Sequence, residues 1–268
     1  MNNIFKCICE SKLGLENNGN KLICKSCNNI FNFDRSKNIY YITSPEKNNL
    51  IKRIDDEWTD HWKDTSSFFY KLKKFMRVYM TGSLLINALR PLLLNQVNNI
   101  YLEAGSGLSE TSKRLEFNNN IHISMDISKK ALENNINKKI KLQADLFNIP
   151  LLDEKVSVVF NVGVHEHYTD IENNLIFREY NRVLKENGKL ILVWPYYFGP
   201  LMVLAKIINF ITSIILRRKF EIWPNQHNEI KNFSKVNKLL ELSGFNKEKI
   251  YLSFYDIYST GILIYKKK

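Results

Sequence analysis

The sequence predicts an α/β protein: a mostly parallel sheet wound with helices, preceded by a small cysteine-bearing unit. Three observations carry this. From residue 98 onward, short apolar runs alternate with roughly ten to fifteen residues of helical pattern, the texture of right-handed βαβ units. The first of these runs, NIYLEAGSG, ends in a Gly-x-Gly turn. The last two, KIYLSFY and STGILIYK, are joined by so few residues that they must pair antiparallel. With 268 residues, 44% hydrophobic and 25% charged, the chain can bury a real core.

The elements follow in order. Residues 1–44 hold all four cysteines and are too few to bury a core without a staple. Cys24-Lys-Ser-Cys27 has the spacing of a zinc half-site, and Cys7-Ile-Cys9 is a partner one residue short. A four-thiolate zinc ribbon is the reading. The plain alternative is a degenerate ribbon that no longer holds metal. Pro45 marks the boundary to a main domain of residues 45–268. Leu50 to Asn95 reads as helical, with Trp58, Trp62, Phe69, Leu72, Phe75, Tyr79, Leu84 and Leu85 at spacings of three and four, and Pro91 is expected to kink or end the last helix. Then come the strand NIYLEAGSG, a helix from Ser109, the strand NIHISMDIS, a helix from Ser128, the strands KIKLQADLF and VSVVFNVGV, a helix near Ile171 to Lys185, and the strand KLILVWPY. An apolar stretch, a helix near Ser234 to Leu242 and the antiparallel pair finish the pattern.

Charge points weakly. The net charge of +12 nominally favours RNA or an anionic membrane face, but lysine outnumbers arginine 30 to 9 and no compact arginine patch exists. The first ten residues lack the apolar run of a secretory leader, which points to a reducing, cytoplasmic compartment. No cysteine follows Cys27, so the main domain has no thiol for covalent catalysis.

The glycine turn narrows the ligand. Gly105 and Gly107, with Ser106 between them, bring backbone amides to the carboxyl edge of the sheet, and Asp126 ends the next strand 19 residues beyond Gly107, where a carboxylate accepts ribose hydroxyls. Pyrophosphate sits poorly beside Glu103, since like charges a few ångströms apart cost on the order of 1 to 4 kcal/mol. S-adenosylmethionine has no phosphate and carries two positive centres, so it suits the loop better than a dinucleotide. The third glycine of the dinucleotide fingerprint is also replaced, by Glu110. The plain alternative is an ordinary tight turn.

The series LEAGSG, ISMDIS, QADLFNIP, VFNVGVHEHYTD and REYNRVLKENGKLILVWP, over roughly residues 98 to 198, resembles the class I S-adenosylmethionine-dependent methyltransferases of the type 11 kind. The resemblance implies a Rossmann-like, seven-stranded sheet with an antiparallel last strand. Position by position, it implies that Glu103, Gly105, Ser106 and Gly107 line the methionine part of the cofactor. Asp126 and Ile127 are implied at the ribose, Asp145 and Leu146 at the adenine, and Asn161 and Gly163 at the end of the fourth strand beneath the methyl group. Ser157 stands where the family often has Asp. The cysteine unit and the segment Phe31 to Ile42 resemble what precedes two kinds of methyltransferase, one acting on ribosomal RNA guanine and one found near surface-polysaccharide genes.

Methyl transfer needs in-line approach, desolvation and sometimes a base. His165, Glu166 and His167 follow the fourth strand at the ligand rim, and the family's Glu-His pair falls on Glu166 and His167. A histidine titrating near neutrality can deprotonate an acceptor. Both histidines are expected at the rim and therefore to matter more to turnover than to stability. The plain reading is rim packing with Asp170 capping the next helix. Three consecutive residues splay badly as metal ligands, so a metal there is disfavoured. The strand lacks the Asn/Asp-Pro-Pro-aromatic loop of base-amine methyltransferases, which argues against that class.

Residues 199–233 form an apolar insertion or lid. As a helix, Leu201 to Leu216 spans about 24 Å, short of a roughly 30 Å hydrocarbon core, and carries Lys206, Asn209 and Thr212 on one flank before Arg217, Arg218 and Lys219. That is the pattern of an interfacial membrane helix; a buried lid or dimer interface is the alternative. The leading expectation is methylation of a saccharide, lipid-linked or other small acceptor, with peripheral contact at the inner membrane face. A ribosomal RNA base methyltransferase and a non-catalytic, cofactor-binding regulatory protein are the alternatives. The oligomeric state is left open.

Overall fold

A computed structural model describes residues 4–9, 15–18, 20–43, 75–94, 98–137, 139–216 and 228–268. Seven strands form the expected sheet: β5 (Ile100–Ala104), β6 (Ile121–Asp126), β7 (Ile140–Gln143), β8 (Val156–Val162), β9 (Leu184–Pro195), β10 (Phe245–Leu252) and β11 (Thr260–Lys267). They lie in the order β7-β6-β5-β8-β9-β11-β10, with β5 to β9 parallel and β11 antiparallel to both neighbours. The fold class is that expected.

The sheet is wider than seven strands. The cysteine unit contributes β1 (Leu15–Asn18), β2 (Lys21–Cys24), β3 (Ile30–Asp34) and β4 (Ile39–Tyr41), an antiparallel meander, and β4 pairs parallel with β7. Among the described residues, eleven strands therefore form one sheet. Ile39 faces Lys141, Tyr40 faces Leu142 and Tyr41 faces Gln143 in that pairing.

Burial on both faces explains the near-continuous apolar runs. β5 and β7 are buried at every position. Alternate residues serve opposite faces. Tyr101, Val158, Phe160, Ile191, Val193 and Ile262 pack on α1 (Gly82–Leu94) through Leu84, Leu85, Ala88 and Leu89. Leu102, Val159, Leu190, Leu192 and Leu263 pack with Ile176, Phe177 and Tyr180 of α3 (Asp170–Val183).

Local chemistry sets the helix ends. Ser128 caps α2 (Lys129–Asn134), its hydroxyl accepting the Ala131 amide at 3.1 Å. Thr169, not Asp170, caps α3: it forms a capping box with Glu172, each satisfying the other's backbone amide. Pro200 opens α4 (Pro200–Leu216), where a missing N–H costs nothing, and Asn232 caps α5 (Phe233–Leu242).

Three expectations are corrected. Residues 110–114 are turns rather than a helix from Ser109: Ser109 sits at φ +54°, and its hydroxyl and that of Ser112 bond a buried carboxylate instead of supporting a helix. Pro91 does not end its helix, which continues to Leu94 because Leu84, Leu85 and Leu89 anchor it in the core; a π-helical turn, Met76–Thr81, precedes it. β10 starts earlier than KIYLSFY, with a bulge between Lys247 and Lys249, and ends at Leu252. Pro45, Trp58, Trp62, Phe69 and Leu72 lie outside the described residues, as do Arg217, Arg218 and Lys219.

Candidate active site

The parallel strands end together, and the residues expected at the ligand divide there into a half-exposed rim and a buried support. Gly105, Ser106, Gly107, Asp126, Ile127, Asp145, Gly163 and His167 are half-exposed. Glu103, Leu146, Asn161, His165 and Glu166 are buried.

The loop after β5 needs its glycines. Gly105 has φ +68°, and a β-carbon there would meet Val164 Cγ2 at 2.6 Å; Gly107 has φ +50° with open space beside it. Asp126 braces this loop. Its Oδ2 accepts the Gly107 amide at 2.7 Å and its Oδ1 accepts the Ser128 amide at 2.9 Å, which fixes the carboxylate plane at the end of β6. Asn135, at the end of α2, donates to the Gly107 carbonyl at 2.7 Å and to the Ser109 hydroxyl at 2.8 Å.

Glu103 works behind the loop. Its Oε2 accepts from Ser109 Oγ at 2.9 Å, Ser112 Oγ at 3.0 Å and Ser124 Oγ at 3.3 Å, and it meets His122 Nε2 at 2.9 Å. His122 is itself buried and stacked on Phe117. The carboxylate thus ties β5, β6 and the turn together.

After β7, Asp145 Oδ1 accepts the Phe147 amide at 3.0 Å and closes a tight turn with Asn148. Phe147 meets Tyr168 edge-on at 5.7 Å. The Tyr168 phenol is raised by burial and then by the negative charges of Asp145, Asp126 and Glu172. Tyr168 and Asn135, which sequence reasoning passes over, touch these candidate residues. A signal exists for the first, a tyrosine directly after the Glu-His pair; Asn135 has none.

The three residues after β8 separate. His165 does not stand at the rim as expected: it is 1% exposed among Phe177, Tyr180 and Trp194. Its Nδ1 donates to Asn173 Oδ1 at 2.6 Å and its Nε2 accepts from Asn161 Nδ2 at 2.8 Å, which is the neutral tautomer. Burial lowers it to about 4 against the favourable Asn173 bond. It therefore holds β8 to α3 and has no nitrogen left for a substrate. Glu166 is also buried, and its Oε1 lies 3.1 Å from where a β-carbon on Gly163 would stand. Burial pushes its carboxyl up to about 8, with the charge of Glu229 adding to the effect and its own backbone amide opposing it. At neutral pH it is a neutral acid, suited to donating a hydrogen bond. His167 alone of the three is half-exposed.

The arrangement, a glycine loop over a braced carboxylate on a mostly parallel sheet, matches a known family. Residues 102–192 fit the family model described as a methyltransferase domain. These residues form a methyltransferase domain. S-adenosylmethionine is the cofactor, and the glycine loop with the Asp126 carboxylate at the end of β6 suits it. Among solved structures, the domain shares its fold with the magnesium protoporphyrin IX methyltransferase of Synechocystis PCC 6803 holding S-adenosylhomocysteine, at a TM-score of 0.60 and 18% identity over 83% of this chain and 100% of that one. The PH0226 protein of Pyrococcus horikoshii OT3 aligns at 0.53 and 19% identity over 76% and 94%. A Bordetella parapertussis protein aligns at 0.54 and 14% identity over 69% of this chain, which spans 66% of that protein's length. At such identities the likeness is one of fold. No curated protein matches the chain.

The four cysteines also come together. Their sulfurs all lie within 4.8 Å of one another, with Cys7 to Cys27 at 3.6 Å and Cys9 to Cys24 at 3.7 Å. These are not disulfides, which need about 2.05 Å. Zinc–thiolate bonds of about 2.3 Å in a tetrahedron set sulfur–sulfur edges of about 3.8 Å, so the set fits one zinc ion. The Cys24–Cys27 turn is a knuckle, with the Asn28 amide on the Cys24 carbonyl at 2.9 Å and Asn28 at φ +57°. Burial raises the Cys24 thiol, but the amides of Cys27 and Ser26, together with the Cys7 and Cys27 thiols, outweigh it and lower the group to about 7.

Proposed function

We propose that the protein transfers the methyl group of S-adenosylmethionine to a small apolar or lipid-linked acceptor, such as a saccharide on a lipid carrier, presented at a membrane face. The cofactor supplies an electrophilic methyl on a sulfonium. Asp126 and Ile127 receive its ribose, Asp145, Leu146, Phe147 and Tyr168 its adenine, and the Gly105–Ser106–Gly107 loop its methionine end. Glu166, neutral at pH 7, orients the acceptor beside Gly163, and half-exposed His167 is the candidate base.

The observation that carries the acceptor class is α4. Val203, Leu204, Ile207, Phe210, Ile211 and Ile214 are exposed along one stripe, while Met202 is buried on the other side. Lys206, also off the stripe, bonds Glu229 at 2.8 Å and lies 3.4 Å from the centre of the Tyr197 ring. The helix is thus pinned by its polar flank with its apolar face turned outward, at the carboxyl edge where β9 ends. No helix among the described residues is long and apolar enough to cross a membrane. A helix of this length lying in the interface, with the net charge of +12 drawing the protein to anionic lipid, accounts for the stripe.

Flotation with phosphatidylcholine–phosphatidylglycerol vesicles tests this. Wild type should float, less so at high salt, and the Ile207→Asp/Ile211→Asp variant should stay behind with an unchanged melting temperature, because both sites are already exposed. Wild type that ignores vesicles but is retained on ribosomal RNA in a salt-dependent way would replace this reading with the RNA one, which the net charge and the cysteine unit favour.

A further inference from the structure

The cysteine unit is joined to β7 and to the stretch that follows it. Beyond the β4–β7 pairing, the Ile42 amide donates to the Gln143 carbonyl at 3.1 Å and the Lys141 amide to the Asn38 carbonyl at 3.0 Å. A second seam lies at Ile4–Lys6: the Lys6 amide donates to the Pro150 carbonyl at 3.0 Å and the Leu152 amide to the Ile4 carbonyl at 2.8 Å, with Phe5 opposite Leu151. Phe5 is 1% exposed and packs on Tyr40 at 4.5 Å. Both seams bound one stretch, Ile140 to Leu152, which contains Asp145, Leu146 and Phe147. Gln143 extends the effect to the ribose side, its Nε2 donating to the Ile127 carbonyl at 3.0 Å. From the opposite side Arg182 holds the same stretch through the Ile149 and Leu151 carbonyls, at 2.7 and 2.8 Å.

We propose that the ribbon, closed by one zinc ion on Cys7, Cys9, Cys24 and Cys27, is the outer clamp of the adenine end of the cleft, so that metal occupancy sets cofactor affinity. Cys7 directly follows the Ile4–Lys6 seam, and the metal bonds it and Cys9 to the knuckle between β2 and β3. Without the metal, that seam rests on its two backbone hydrogen bonds and the burial of Phe5, in a unit too small to hold itself together. The stretch from Ile140 to Leu152 then loses its outer support at Pro150 and Leu152, and is held there by Arg182 and Glu179 alone. If the clamped conformation falls to about a fifth of the population, the apparent affinity falls about fivefold. The cofactor part of this inference rests on the reading given above.

The test uses the full chain purified under reducing conditions. Zinc is measured by elemental analysis; the protein is then stripped with a chelator and reloaded, and a Cys27→Ser chain is made in parallel. S-adenosylmethionine binding is followed by calorimetry, and amide exchange at Lys6, Ile42, Lys141 and Leu152 by mass spectrometry. The expected result is about one zinc per chain, about fivefold weaker binding and faster exchange at the four amides after stripping, and recovery of both on reloading. A reduced chain without zinc, or stripping that leaves affinity unchanged, overturns the proposal. Should Cys27→Ser fail to fold, stripping and reloading of the natural chain decide alone. If the zinc-loaded chain binds no S-adenosylmethionine, the cofactor reading fails, and the exchange data still judge the clamp: amides that open on stripping keep it, and amides that do not respond overturn it.

Discussion

Replacing Glu166 with Gln should stabilise the protein, and more so as pH rises. The buried carboxyl titrates near 8 in the folded chain against an ordinary value of 4.5, burial being the main cause. An acid raised in this way contributes stability that is complete below pH 4.5 and is lost as pH climbs through 8, because the unfolded chain ionises first. At about 1.4 kcal/mol per pH unit, holding the group neutral costs about 1 kcal/mol at pH 5, about 3 at pH 7 and between 4 and 5 above pH 8. Glutamine has nearly the same shape and nothing to ionise, so the gap between variant and wild type should grow by those amounts. Urea denaturation of both proteins at pH 5, 6, 7 and 8 measures it. A gap that stays constant across that range would show that Glu166 is not a buried titrating acid. The same variant separates two roles, since an amide still donates a hydrogen bond to the acceptor: methylation retained in Glu166→Gln fits an orienting donor, and methylation lost fits a base.

Asp126→Ala should weaken S-adenosylmethionine binding by about 1 to 3 kcal/mol in calorimetry, because the ribose loses its acceptor and the Gly107 and Ser128 amides lose their brace; an unaltered affinity would remove Asp126 from the ribose site. His165→Ala should lower stability by about 2 to 4 kcal/mol in urea while the folded fraction keeps its cofactor affinity, since a ring with two buried hydrogen bonds leaves a cavity and two stranded partners. An unchanged unfolding midpoint would contradict its placement in the core.

What was legible in the sequence was what neighbours decide. The apolar runs gave the strands, and the 19-residue spacing from Gly107 placed Asp126 where the structure braces it. Ser128 and the helices near residues 171–185 and 234–242 followed from local capping and period. Contacts made far along the chain were not legible. Glu103 reads as a ligand-facing charge until β5 and β6 pair and bring Ser124 and His122 to it. His165 reads as a rim base until Asn173, Tyr180 and Trp194 close around it. The helix expected from Ser109 fails for the same reason, because its hydroxyls serve that distant carboxylate. The union of β4 with β7 joins segments about a hundred residues apart, and no local pattern announces it.

That union also shields β7 from a hazard of every open sheet, whose outermost strand offers unpaired amides and carbonyls to a neighbouring molecule, and passes that border to β1. At the opposite border β10 answers it alone: it carries exposed Asn246, Lys247, Glu248 and Lys249 and a bulge that spoils its ladder. β7, buried throughout, carries no exposed charged residue and no bulge. Its protection is β4, laid along it by the cysteine ribbon. Damage to the ribbon therefore uncovers a ready template for intermolecular strand addition, and aggregation under oxidising or chelating conditions should start from this border of the sheet rather than from β10.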